Sequence, residues 1–78
     1  MNTTLFKIHM MKNNDNQVKL SGDMGLAQSA LNMRINGKMQ FRQNEINFIR
    51  KRYKLSDQDT VEIFFSEEVS ELDTSKGA

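Results

Sequence analysis

The chain predicts an all-α fold of five short helices, and three observations carry that prediction. Apolar residues recur three and four positions apart, and no segment sustains a two-residue alternation. Proline is absent and Gly numbers four in 78 residues, which suits helices better than a loop-rich fold. Polar or glycine-bearing breaks at 13–16, 25 and 36–38 cut the pattern into short pieces. A chain this small is one domain that buries only about 60% of its unfolded surface, so there is no room for a separate cofactor domain.

The first helix is expected over about Thr3–Lys12, with Leu5, Phe6, Ile8 and Met10 as its apolar stripe and Thr3 or Thr4 as its cap. Asn13-Asn14-Asp15-Asn16 ends it, because these side chains compete for backbone hydrogen bonds. The second runs from Gln17 to about Met24, capped by Asn16, with Val18, Leu20 and Met24 facing inward. Gly25 stops it, since a left-handed turn residue costs least as glycine. The third covers Ala27 or Gln28 to Ile35, with Leu31 and Ile35 inside and Ala30 small enough for close helix approach. The fourth spans about Gln43–Lys54, placing Ile46, Ile49 and Tyr53 on one face, with Phe48 nearby and Phe41 stapled ahead of it. Ser56 caps the fifth, whose apolar content is Val61, Ile63, Phe64 and Phe65. From Ser66 onward only Val69 and Leu72 offer anything to bury, so 66–78 is expected to be a disordered acidic tail.

The net charge of +1 conceals a split. Residues 1–65 carry ten Lys/Arg against six Asp/Glu, a net +4. Residues 66–78 carry Lys76 against Glu67, Glu68, Glu71 and Asp73, a net −3. A basic body of this size permits a nucleic-acid partner without requiring one. Cysteine is absent and histidine is represented by His9 alone, so no disulfide, thiolate site or histidine cluster is available. Glu67-Glu68 is no catalytic pair in a tail that cannot preorganise one. These features argue against an enzyme, and no cofactor is expected. No apolar run approaches membrane-spanning length and no signal-peptide pattern opens the chain, so a soluble cytoplasmic protein is expected.

The stretch 17–38, QVKLSGDMGLAQSALNMRINGK, is the most informative. Two helices that cross closely need a small residue mid-way along the first, a glycine at the turn, an apolar residue after it and another mid-way along the second. Ser21, Gly25, Leu26 and Leu31 occupy those positions in order. This stretch resembles the helix-turn-helix of the Cro/C1-type family, the small lambda-repressor-like DNA-binding domains. Ile35-Asn36-Gly37-Lys38 resembles the family's usual ending, and 41–65 resembles the closing helices of small phage-encoded members. The similarity covers roughly residues 3–65, leaving the tail outside. Ser21 stands where Ala is usual, and Ala27 where Ser or Thr usually caps the second helix of the pair.

The resemblance implies a helix-turn-helix domain over 1–65 whose recognition helix, 27–35, lies in the major groove of double-stranded operator DNA. Gln28 is the leading candidate for base readout, because one glutamine amide can bond both N7 and N6 of adenine. Ser29 and Asn32, on or beside that face, are candidates for a base or a phosphate. The Ala27 methyl either touches a thymine methyl or marks a weakly capped helix. Gln17 is placed by the resemblance to bond a phosphate and brace the recognition helix, and Arg34, Lys38 and Arg42 are candidates for flanking phosphates. Arg50, Lys51, Arg52 and Lys54 spread around their helix and read better as a solubilising face. Met33 contacts the groove or fills the core, and the methionines are mostly core filler.

The function implied is a small Cro-like transcriptional repressor that binds its operator as a homodimer. Phe64 and Phe65 are adjacent and cannot both enter one core, so one of them, with Val61 or Tyr53, is a candidate two-fold contact, or else covers its own core. The alternative is an interaction module of the same fold that antagonises a partner repressor.

Overall fold

Five helices follow one another in the computed structural model, which describes residues 1–65: α1 Thr3–Lys12, α2 Gln17–Met24, α3 Gln28–Ile35, α4 Gln43–Tyr53 and α5 Asp57–Thr60, the last continuing into a wider π turn over Val61–Phe65. No strand occurs among the described residues. The segment 66–78, expected to be disordered, lies outside them.

Capping explains the boundaries. Asn2, not Thr3 or Thr4, caps α1: its side chain accepts from the Leu5 N–H at 3.0 Å. Thr3 acts elsewhere, donating its hydroxyl to the Ile35 carbonyl at 2.6 Å and so satisfying the end of α3. Asn16 caps α2 by accepting from Lys19 N–H. Gly25, at φ 72°, closes α2 in the left-handed conformation, and the Leu26 N–H returns to the Ser21 carbonyl at 2.8 Å. α4 ends one residue earlier than expected, because Lys54 takes a left-handed φ of 55° and lets the Leu55 N–H reach the Arg50 carbonyl. Ser56 and Asp59 cap α5 reciprocally, each side chain accepting from the other's backbone N–H.

The core is one cluster of Phe6, Met10, Leu20, Leu31, Ile35, Ile49, Tyr53, Leu55 and Ile63. Met24 and Leu26 pack at its edge. Val18, expected inside, is exposed, because Leu20 and Ser21 take the buried side of α2. Ile8 and Phe48 also face outward. In the last element Thr60, Ile63 and Phe64 turn inward at three- and four-residue spacing, while Val61 and Phe65 turn out. Phe64 packs edge-on to Phe6 and Phe41, with ring centroids 6.1 and 5.4 Å apart. Phe64 therefore covers its own core.

A network of charged groups runs along this core. The Asp15 side chain, in the α1–α2 loop, is only 4% exposed and receives Arg52 Nε at 2.8 Å, Arg52 Nη2 at 3.0 Å and the Tyr53 hydroxyl at 2.6 Å. Arg52 also reaches Asp23 near the end of α2, at 2.6 Å. Tyr53 is thus buried and committed to this network, and is not a surface contact. The Arg52 hydrogen bonds outweigh burial and hold the Asp15 carboxyl down at about 2, against an ordinary 3.8. A depressed carboxyl contributes stability that is complete above its ordinary value and is lost as pH falls through the folded one. Asp15→Asn should therefore lower unfolding free energy at neutral pH by about 2 kcal/mol. In urea titrations the variant should also lose less further stability than the native chain between pH 4 and 2.

Candidate nucleic-acid interface

The turn between α2 and α3 sets the position of every polar residue on the outer side of α3. Ser21 is 3% exposed and spends its hydroxyl on the Val18 carbonyl at 3.1 Å, so α2 presents a small, satisfied surface at this level. Leu31 and Ile35 are fully buried from the α3 side. With those anchors fixed, Ala27, Gln28, Ser29 and Asn32 are all exposed, at the start of α3 and one turn further along it. Met33 is also partly exposed and does not fill the core.

Ala27 stands at the N-cap of α3 with extended backbone and makes no side-chain cap bond. The first amides of α3 are thus left without a capping side chain. Gln17, at the start of α2, approaches the same face: its amide lies 3.5 Å from that of Asn32, a long contact between the two helices. Asn32 in turn accepts from Asn36 at 2.8 Å. Gln17, Asn32 and Asn36 therefore form a row of uncharged amides along the edge of α3.

The cations divide into two groups. Lys38 and Arg42 are exposed on the α3–α4 loop, and neither side chain makes an ion pair among the described residues. Arg34 differs from expectation. It is 6% exposed, bonds Glu45 Oε1 through Nε at 3.0 Å, and donates through Nη1 to the Ala30 carbonyl at 3.0 Å. A guanidinium held this way fastens α3 to α4. Glu45 also accepts the Arg42 backbone N–H at 2.9 Å, so one carboxylate both caps α4 and receives the α3 arginine. Burial raises the Glu45 carboxyl, but the Arg42 N–H and the Arg34 guanidinium outweigh it and leave it below the usual range.

The basic run on α4 is likewise partly structural. Arg52 holds Asp15 and Asp23, and Arg50 pairs with Asp57, leaving Lys51 and Lys54 exposed without ion pairs among the described residues. Sequence reading missed the roles of Arg34, Arg52 and Glu45. Glu45, three residues after the α4 cap position, was the readable signal; Asp15 and Arg52 lie 37 positions apart and left none. Of the residues expected at a two-fold contact, Val61 and Phe65 remain exposed, at 54% and 58%. No helix among the described residues is long and apolar enough to cross a membrane.

Comparison of the chain with protein-family models, curated proteins and solved structures gives no match.

The vacant cap yields a stability test. The backbone at Ala27 (φ −65°, ψ 149°) already suits a capping side chain. Ala27→Ser should raise thermal and urea stability by about 1 kcal/mol.

Proposed function

We propose that this protein is a sequence-specific DNA-binding repressor of the small Cro-like type, with α2 and α3 as its helix-turn-helix. The observation that carries the reading is the exposed row Ala27, Gln28, Ser29 and Asn32 at the head of α3, with Gln17 in reach of Asn32 and with Lys38 and Arg42 exposed on the loop that follows α3. Uncharged polar side chains on the leading turns of a helix suit base edges, and cations at its borders suit phosphates. The uncapped amides of α3 add the positive end of the helix dipole to the same face.

In this reading Gln28 reads one base through its bidentate amide, while Ser29 and Asn32 bond a neighbouring base or sugar-phosphate oxygen. Ala27 sits where its methyl meets a thymine methyl. Gln17 bonds a phosphate while its contact with Asn32 steadies the outer face of α3. Lys38 and Arg42 supply the salt-dependent part of the affinity, and Arg34 supports α3 from within. One helix reading one half-site gives limited discrimination, so the protein works as a homodimer on half-sites about 34 Å apart. Val61 and Phe65 are the candidates for its two-fold contact. Repression follows from occupying promoter DNA in the cytoplasm in competition with polymerase.

Fluorescence anisotropy on DNA fragments from the surrounding genome, with excess nonspecific competitor, tests this directly. One fragment should bind tightly, survive competitor and be lost on Gln28→Ala. Lys38→Ala and Arg42→Ala should each reduce the slope of log K against log salt by about one. Binding that any DNA competes away would overturn the reading. A pull-down partner retained by Gln28→Ala would then favour the alternative, an antagonist of a partner repressor.

A further inference from the structure

A groove of about 280 Å³ opens between the α3–α4 loop and the end of the domain. Met39 and Phe41 wall it on the loop side, Phe64 and Phe65 on the other. Phe41 and Phe64 meet edge-on, and Phe65 is 58% exposed, so ring surface is open to a flat apolar guest. The volume lies just below the range of about 300–1,000 Å³ for sites that hold drug-sized molecules, which suits one aromatic group with a short substituent.

Arg34 also lines this groove, and it sets the chemistry of the guest. Its side chain is only 7% exposed. Nε is taken by Glu45 and Nη1 by the Ala30 carbonyl, while Nη2 bonds none of the described residues. A buried guanidinium nitrogen is costly without an acceptor. A carboxylate answers it best, because a charge-assisted hydrogen bond is about twice as strong as a neutral one. Glu45 itself does not line the groove, and neither does any other described Asp or Glu. The guest therefore meets a cation with no competing carboxylate on the groove's own walls. We propose that this groove binds a small aromatic carboxylate, a free molecule whose ring packs on Phe41, Phe64 and Phe65 and whose acid accepts from Arg34 Nη2. The site does not depend on the DNA-binding reading.

The probes are 2-naphthoate and its neutral amide, 2-naphthamide, titrated into the full-length chain and read by methionine methyl NMR. 2-Naphthoate should shift Met1 and Met39, which line the groove, saturably, and leave Met11, which does not, in place. 2-Naphthamide should bind about tenfold more weakly, having lost the charge that Arg34 answers. Arg34→Gln combined with Glu45→Gln removes both charges together, so no buried ion is left unpaired. This double variant should bring 2-naphthoate down to the affinity of the amide. Should it fail to fold, Phe65→Glu tests the same site from an exposed position. A like charge set beside the guest should weaken 2-naphthoate about tenfold and leave 2-naphthamide little changed.

Equal binding of the two probes, parallel shifts at Met11, or an affinity indifferent to these variants would overturn the proposal. Met1 and Met39 unmoved at the solubility limit of the probe would mean that the protein itself fills the groove, and would overturn it too. So would 2-naphthoate binding that weakens as protein concentration rises, which would place a second copy there.

Discussion

The carboxylate of Asp15 is the constraint on which the other placements depend. It lies in a short polar loop whose backbone also bonds back to the end of α1, and it is nearly removed from water. A buried carboxylate is tolerated only when its oxygens are bonded, and here Arg52 and Tyr53 supply three bonds from α4. Arg52 then continues to Asp23, so one guanidinium ties the entrance to α2 and the far end of α2 to the same helix. α2 is thereby held at both ends by polar contacts while Leu20 anchors its middle. In a domain with so small an apolar core, this orientational role matters as much as the area buried.

A second ion pair does for α3 what Arg52 does for α2. Arg34 and Glu45 meet beneath the α3–α4 loop, with Glu45 also capping α4. The described part of the chain therefore spends two of its arginines inward and keeps Lys38 and Arg42 outward at the borders of the proposed DNA face. The net charge of residues 1–65 thus overstates what is available to an anionic partner and says little about where the free cations lie.

How much of this was legible in the sequence depended on the range of the interaction. Asn16, Gly25 and Ser56 announce their boundaries because caps and left-handed turns are decided within four or five residues. The Ser21, Gly25, Leu26, Leu31 spacing predicts a turn at Gly25 with Ser21 and Leu31 inside, and the left-handed Gly25 and the burial of both side chains agree with it. The misreadings were competitions between neighbours or contacts across the fold. Asn2 outcompetes Thr3 because Thr3 has a distant carbonyl to satisfy. Val18 faces out because Leu20 and Ser21 take the buried side of α2. Arg34 looked like a surface cation because its partner lies eleven residues away on another helix.

The two ends of the described chain are stitched together: the Asn2 N–H donates to the Ile63 carbonyl at 2.7 Å, and Phe6 packs against Phe64. α1 buries Phe6 against rings from α4 and the final turn. During synthesis α1 therefore waits for Ile63 and Phe64, exposing Phe6 and Met10 meanwhile. A nascent chain stalled before Ile63 emerges would leave Phe6 and Met10 of α1 unhoused, which is the kind of surface a chaperone recognises.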